Sequence, residues 1–591
     1  MKTLKMLNNL GYKLKASGGD ILYELPIEKA PDPATAAACL NDIRRNKALA
    51  KELLTRPLPE YRFVLAVDIE VLGETIRLIS WADEENIGAT EDISLLEDKL
   101  KDPTILKIFH NALFDVPILI KNGFSIVNYT DTMVLAQIFH NRVAQENSLA
   151  ELAGKYLGTT LNKSLQAETN WEGQLTEAHY EYSKQDADVT LKLYHFLIDR
   201  LEDRYLEGVV RREIAALPAA VHLQIAGIPF DFEGWETELE RFGEEQLTLK
   251  KMIELDLGRG EINLRSHHQL KEALIQLGIP VEGTSEEALA KHEDAHPVIT
   301  KLRRYKKIQK ILSAYGEKLH QLVGDDGRIR GKWRLIGANT SRMTCTQPNL
   351  QGLPSIAKPY VKAPLGRTLV IADYSQIELR VIAQLAGEER MIESFRSGED
   401  LHYKTASLIL GKPVEEVTPE ERKIAKTTNF GLLYGMQAYG LMKRIQTQCG
   451  IDVSIETATT FRNGYFSNYP AILRFQDHVL QTDRLETLGG RYWCLGHADL
   501  KKGAIQRLNY PVQATAAEGF KETLALLMND LPSEWLLIAA VHDELVLEVP
   551  QEQAEDAAEF LANVMKKGMS LLIDKVPIQV DVRISPYWNK G

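Results

Sequence analysis

The sequence predicts a multidomain α/β protein, and three observations carry that expectation. The chain has 591 residues, too many for one hydrophobic core. Strand-like apolar runs alternate with helical segments from Tyr61 to about residue 205, and again from about residue 331 to the C-terminus. Between these stretches, from Glu207 to about Asp326, the pattern is largely helical with long polar faces. Hydrophobic residues form 44% of the chain and charged ones 26%, the balance of a soluble globular protein. No apolar run approaches the ~18 residues of a membrane span. The opening MKTLKMLNNLGYKLKASGGD scatters lysines and lacks an apolar core, which excludes a secretory signal. Cys39, Cys345, Cys449 and Cys494 lie far apart with no CxxC pair, against a zinc or disulfide framework and in keeping with a reducing compartment. A net charge of −12 disfavours a simple basic nucleic-acid coat. It leaves room for an enzyme whose acids sit in active sites and whose bases line one groove.

In the first α/β stretch, YRFVLAVDIE (61–70) and IRLISWA (76–82) read as strands. Asp68 and Glu70 stand two apart, so alternation puts both carboxylates on one face, within reach of one ion. HNALFD supplies Asp115, and YSKQDAD supplies Asp186 four residues after Tyr182, on the same face if the segment is helical. Taken singly, each acid reads as a surface charge. In the helical middle, KLRRYKKIQK (301–310) carries six basic residues and no acid. A solvated face and a phosphate-tracking helix explain it about equally. GDDGRIRG (324–331) is a turn-rich break before the third region.

That region begins with LVIAD, an apolar strand ending in Asp373, followed by a helix from SQIELR. Asp373 alone could serve as a helix N-cap. TPEERKIAKTTNFGLLYG (418–435) places Thr418 and Glu421 at capping-box spacing, with Pro419 at the first helical position. Arg422, Lys426 and Phe430 follow at four-residue steps and share a broad face. Near the C-terminus, VHDELVLEV (541–549) sets Asp543 beside Glu544 between two apolar strands, with no glycine at the turn. A hairpin tip in solvent is one reading. A hard divalent cation, which prefers carboxylate oxygens, is the other.

The four acids with Tyr182, in this order and spacing, resemble the DEDD 3′–5′ exonucleases of the subgroup with tyrosine in the third motif. KSLQAETNW (163–171) is similar to the segment preceding that motif in ribonuclease D-like relatives. The resemblance implies that Asp68, Glu70, Asp115 and Asp186 hold two metal ions and that Tyr182 orients the attacking water. Val71, where many relatives have Thr or Ser, departs from the pattern.

DYSQIELR followed far downstream by VHDE resembles the family A DNA polymerases, the group of bacterial DNA polymerase I. The likeness runs from about residue 60 to 591. It implies an RNase H-like exonuclease domain (1–205) and a right-hand polymerase (206–591). Its thumb would span about 206–330, its palm about 331–395 and 505–591, and its fingers about 396–504. No 5′-nuclease domain is expected. By resemblance, Asp373, Tyr374 and Asp543 hold two Mg²⁺ ions, with Mn²⁺ as a substitute, and Glu544 supports them. Arg422, Lys426 and His402 would bind the incoming triphosphate, with Lys426 protonating the pyrophosphate. Phe430 would stack by the sugar and base, Gln376 would line the nucleotide site, and Tyr434 would stand where the template base enters. Glu378 would act as the steric gate against a ribose 2′-OH. Arg342, Asn349, Gln351, Asn509, Gln513 and His542 would contact primer–template DNA, the expected partner with dNTPs, in a monomer.

In the same family a phenylalanine at the Phe430 position accompanies rejection of dideoxynucleotides, and tyrosine their acceptance. The basic helix at 301–310 falls in the thumb, which favours phosphate contact. Ala514 stands where Gly is usual, Ile505 where Arg is frequent with Arg507 close by, and an arginine-rich stretch is replaced by GLPSIAKPYVKAP with only Lys358 and Lys362. The expected location is the cytoplasm of a bacterial or phage-infected cell, with an organelle form open. The alternatives are an exonuclease with a non-polymerising DNA-binding C-terminal region, and a replication scaffold without activity.

Overall fold

The computed structural model describes residues 13–17, 20–24, 61–141, 147–204, 206–495 and 503–589; Cys39 lies outside them. Ahead of the first domain's sheet, the strands Lys13–Ser17 and Asp20–Glu24 pair antiparallel. The apolar run FVLAVDIEVL, rich in β-branched residues, forms β1 (Phe63–Leu72). It is followed by β2 (Thr75–Ala82), β3 (Ile87–Thr90), β4 (Ile105–Phe109), the helix α1 (Ala112–Lys121), β5 (Tyr129–Asp131) and α2 (Glu177–Asp203). The sheet order is β3–β2–β1–β4–β5, with β1 at the centre, antiparallel to β2 and parallel to β4. The sheet is covered by α2, whose Ala187 and Leu191 bury against Ala66, Leu106 and Ile108. A register irregularity between Glu70 and Val71 bends β1 just after its second acid. Bulges commonly re-aim side chains beside active sites.

A long helix, α3 (Glu207–Ala226), leads out of this domain. Then come α4 (Phe232–Asp256) and α5 (Pro297–Tyr315), which pack on each other. Here the sequence reading needs correcting. Four of the six basic residues of 301–310 are bound within the helical region rather than presented to phosphates. Lys301 pairs with Asp256 (2.7 Å), Arg303 with Glu286 (2.6 Å) and Glu293, and Arg304 with Glu245 (2.6 Å). Lys306 donates to the Thr284 carbonyl (2.6 Å). Only Lys307 and Lys310 stay exposed, one turn apart.

The last region runs β6 (Arg367–Tyr374), α6 (Ile377–Ala386), α7 (Leu401–Leu410), α8 (Pro419–Leu433), α9 (Ala438–Cys449), α10 (Ala504–Asp530), β7 (Leu536–Val541), β8 (Glu544–Pro550), α11 (Ala554–Ser570) and β9 (Val580–Ser585). Its sheet is antiparallel throughout in the order β7–β8–β6–β9, so the strand that carries Asp373 lies directly beside the strand opening with Glu544. The expected capping box at Thr418 and Glu421 is formed, with Pro419 at the start of α8. No helix among the described residues is long and apolar enough to cross a membrane.

Through a buried ionic network, α3 is tied to α10 and to Arg491. Glu213 accepts from Lys521 (2.6 Å) and Arg491 (2.5 Å), and Arg212 reaches Glu522 (3.1 Å) and Glu518 (3.4 Å). All of these side chains are buried. Removing one partner of a buried pair strands the other charge, at a typical cost of about 3–5 kcal/mol. Glu213→Ala is therefore expected to lower the thermal midpoint. Burial already depresses the Lys521 ammonium to about 8, against the raising effect of Glu213. An unfolded lysine stays protonated above that pH, so deprotonation in the folded state relieves the stranded charge. The destabilisation should be larger at pH 7 than at pH 9. Thermal melts of both proteins at the two pH values check this, and an equal loss at both would put Lys521 outside the network.

Candidate active sites

Asp373, next to last in β6, lies directly opposite Glu544, and the two-residue loop His542–Asp543 joins β7 to β8. The loop turns without glycine because His542 itself adopts φ +55°. Gln376 (φ +55°), at the N-cap of α6, and Ser341 (φ +60°), just before Arg342, are also left-handed. Such strain in non-glycine residues persists where surrounding structure fixes it, often at functional sites. Asp373 lies within the strand, one residue before its end at Tyr374, and does not cap α6, whose N-cap is Gln376.

These elements open on a cleft of about 1020 Å³ lined by Arg342, Asp373, Tyr374, Gln376, Ile377, Glu378, His402, Arg422, Lys426, Phe430, His542 and Asp543. Every lining residue except Ile377 was singled out from sequence. Helix α8 presents Arg422, Lys426 and Phe430 on one face, as their four-residue spacing requires. Asp400 caps α7 and accepts from Arg422 Nη2 (2.7 Å) and Nε (3.1 Å), fixing the guanidinium. Asn429 donates to Nδ1 of the buried His402 (2.9 Å). Burial lowers that imidazole to about 4, so it is neutral at pH 7. Its ring lies 6.0 Å from that of Phe430. Glu378 accepts from Arg342 (2.8 Å) and from the Tyr434 hydroxyl, which also hydrogen-bonds Gln513.

Burial pushes the Asp543 carboxyl up to about 7; Arg342 opposes the shift, and Glu378 and Asp373 add to it. Glu544 has a different partner. Its Oε1 accepts from Lys358 Nζ (3.1 Å) and Trp588 Nε1 (2.9 Å), and Lys358 also lies 3.9 Å from the Trp588 ring centre. The Tyr374 hydroxyl turns inward, donating to the Met565 carbonyl (2.7 Å) beside Thr523 (2.6 Å). Several other predicted residues are engaged locally. Asn349 accepts from the Gly352 amide (3.0 Å), and Gln351 donates to the Ala540 carbonyl (3.0 Å). Asn509 has a buried side-chain oxygen with no hydrogen-bond partner. Arg507 does not stand in for Ile505: it is buried, donating to the carbonyls of Val479, Leu480 and Thr482 at 2.9–3.0 Å, whereas Ile505 is exposed.

In the first domain, Asp68, Glu70 and Asp186 bring carboxylate oxygens within 4.8 Å of one another. Asp68 and Glu70 come from β1, Asp186 from α2, and Asp115 from α1. Burial, reinforced by Asp186, raises Asp68 to about 8; burial and the other three acids raise Glu70 to about 10. Burial likewise holds Asp115 well above the usual carboxylate range. Tyr182, one turn before Asp186, is buried with its ring 6.1 Å from that of Trp171. Lys163 is the local counter-charge, 3.0 Å from Asp186 Oδ2 and 5.4 Å from the Tyr182 ring centre. The other oxygen of Asp186 is buried with no hydrogen-bond partner. Hard, mutually repelling oxygens with an unsatisfied lone pair suit a divalent cation better than protons.

Lys163, Lys358, Asp400, Asn429 and Trp588 were not among the expected site residues. Nothing local in the sequence ties Lys163 or Lys358 to a carboxylate 23 or 186 positions away.

Residues 234–590 match the family model described as DNA polymerase family A, and residues 47–202 the one described as 3′-5′ exonuclease. DNA polymerase I of Aquifex aeolicus is 30% identical over 562 residues, covering 89% of this chain and 96% of that protein. DNA polymerase I of Pseudomonas aeruginosa is 31% identical over 553 residues, and the match spans 86% of this chain but 59% of that protein. The thermostable enzyme of Thermus aquaticus is 32% identical over 448 residues, or 51% of its length. Among solved structures, the POL domain of Pol1 from M. smegmatis, in complex with DNA primer-template and dNTP, superposes with a TM-score of 0.77 at 25% identity. The match covers 91% of this chain and 98% of that one.

Proposed function

The chain belongs to DNA polymerase family A, and on that premise we propose that Asp373 and Asp543 hold two Mg²⁺ ions in the polymerase site. Asp68, Glu70, Asp115 and Asp186 hold two more in the exonuclease site. The protein is a template-directed DNA polymerase with a 3′–5′ exonuclease domain. Bound ions supply the same chemistry in both sites: they lower the pKa of the attacking oxygen and stabilise charge on the leaving one. Because the Tyr374 ring is committed to the core, its contribution falls to the backbone carbonyl. Glu544, neutralised by Lys358, supports the site from behind the strand pair rather than as a ligand.

Arg422, braced by Asp400, and the neutral His402 bind the triphosphate, and Lys426 Nζ gives its proton to the leaving pyrophosphate. Glu378, fixed by Arg342 and Tyr434, excludes a ribose 2′-OH by occupying its space. Gln376 lines the same nucleotide site. Arg342, Asn349, Gln351, Asn509, Gln513 and His542 face primer–template, where minor-groove acceptors shared by all base pairs report pair shape without sequence. Tyr182 orients the water in the exonuclease site. The domains follow as exonuclease to 205, thumb 206–330, palm 331–395 and 505–591, and fingers 396–504, in a monomer of the cytoplasm. The observation that supports this best is the convergence of two distant acids and the α8 face on one cleft. Primer extension with a single dNTP tests it: one-nucleotide addition supports the reading, and shortening without any addition leaves only a nuclease.

Phe430 carries a sharper expectation. A normal substrate offers a 3′-OH to the closed site, and a dideoxy analogue does not. Tyrosine would add a hydroxyl where that group is missing; phenylalanine cannot. One hydrogen bond to a charged group is worth about 1.5–3 kcal/mol, or roughly tenfold and more in selectivity. The native enzyme should therefore reject dideoxynucleotides, and Phe430→Tyr should accept them with dNTP addition little changed. Single-turnover incorporation of both substrates by both enzymes decides it. An unchanged ratio means that Phe430 does not face the sugar.

A further inference from the structure

A second basic space adjoins the nucleotide cleft. Helices α8 and α9 pack together, and between them lies an open groove of about 320 Å³ lined by Lys423, Lys426, Thr427, Phe430, Arg444 and Gln448. Lys426 and Phe430 also line the cleft, so the two spaces share a wall. The groove wall holds three cations and no carboxylate, in a chain whose net charge is −12.

That imbalance is local. Arg422, one residue before Lys423, is answered by Asp400, and three of the thumb helix's cations are answered by acids. Among the described residues, Lys423 instead meets only the Cys449 carbonyl at 3.4 Å, and Arg444 only the neutral Gln448 at 3.3 Å. Lys426 has no side-chain partner among the described residues. Lys423 and Lys426 are exposed and Arg444 is half-buried, so the three form a positive patch that attracts an anion. A nucleic-acid strand would be expected to use stacking platforms along such a groove. The single ring here is Phe430, which the cleft also uses.

We infer that this groove binds a polyphosphate anion, the pyrophosphate released by nucleotide addition, as it leaves the cleft past Lys426. The inference rests on the polymerase reading above, which makes pyrophosphate the product formed beside that wall. Lys423 and Arg444 serve the departing product rather than the chemical step.

The test uses the full chain carrying Asp68→Ala and Glu70→Ala, so that exonuclease action does not shorten the primer. Pyrophosphate is titrated as an inhibitor of single-nucleotide addition by this protein and by its Lys423→Ala, Arg444→Ala and doubly substituted forms. Losing two charge-assisted contacts should raise the half-inhibiting concentration about tenfold in the double form. Forward addition at saturating dNTP should hold, and Lys423→Arg with Arg444→Lys should restore the original inhibition. Unchanged inhibition overturns the inference. So does a loss of primer–template affinity with a shallower salt dependence, which would assign the groove to the DNA backbone. If the parent adds no nucleotide, the polymerase reading fails first, and calorimetry with pyrophosphate alone still judges the groove. Binding that disappears in the double form supports it, and no binding by the parent sinks it.

Discussion

Asp543→Ala or Asp373→Ala is expected to stop nucleotide addition while primer–template binding remains measurable. The proposed role of each carboxylate is to hold an ion where charge develops in the transition state. Losing that stabilisation should cost on the order of 4 kcal/mol, about a thousandfold in rate. Binding depends mainly on phosphate contacts and should survive, weakening with added salt. The structure also indicates that the fold will tolerate both changes. The contact from the Tyr374 amide to Asp543 (3.2 Å) uses the backbone carbonyl, and Asp373 is exposed near its strand end. Stability should move in the opposite direction from activity. The folded Asp543 carboxyl is raised to about 7 by burial, above its value in an unfolded chain, so ionising it opposes folding as pH rises from about 4 through 7. At neutral pH and without added metal, Asp543→Ala should therefore melt no lower than the parent. Single-turnover extension, a binding titration and a thermal melt read the three quantities separately. Full-rate extension by either variant removes these acids from the reaction.

The elements that hold these acids were legible because their signals are local. Apolar strand-like runs gave β1, β2 and β6, the capping box gave the start of α8, and four-residue spacing gave its working face. What escaped depends on partners far along the chain. The basic run of α5 looked free because its acids come from residues 245, 256, 286 and 293. The Asp543–Glu544 pair posed the same difficulty. Adjacent acids suggested that both face one cation, yet Glu544 is held by Lys358 and Trp588. The absence of glycine from that turn did not exclude a tight hairpin, since His542 accepts the left-handed conformation itself. Arg507 illustrates the limit of proximity in sequence: two residues from Ile505, it points into carbonyls at the end of another helix.

Asp68→Ala combined with Glu70→Ala should abolish removal of a mismatched 3′ end and leave extension of a matched primer largely intact. Both acids lie on β1 in a sheet separate from the one that carries Asp373, so the substitutions do not touch the polymerase cleft. Two of the three mutually close carboxylates disappear, and with them the means of holding an ion between β1 and α2. The loss should be at least on the order of a thousandfold, as for the polymerase acids. Misfolding is not the expected route to that loss. Lys163 keeps its ion pair with Asp186, so no cation is stranded, and the removed groups were repelling one another. A fluorescent primer with a mismatched terminus reports the exonuclease, and a matched primer with all four dNTPs reports the polymerase. If both activities vanish together in a protein whose melting is unchanged, the two sites are not independent, and the division of labour between the sheets is wrong.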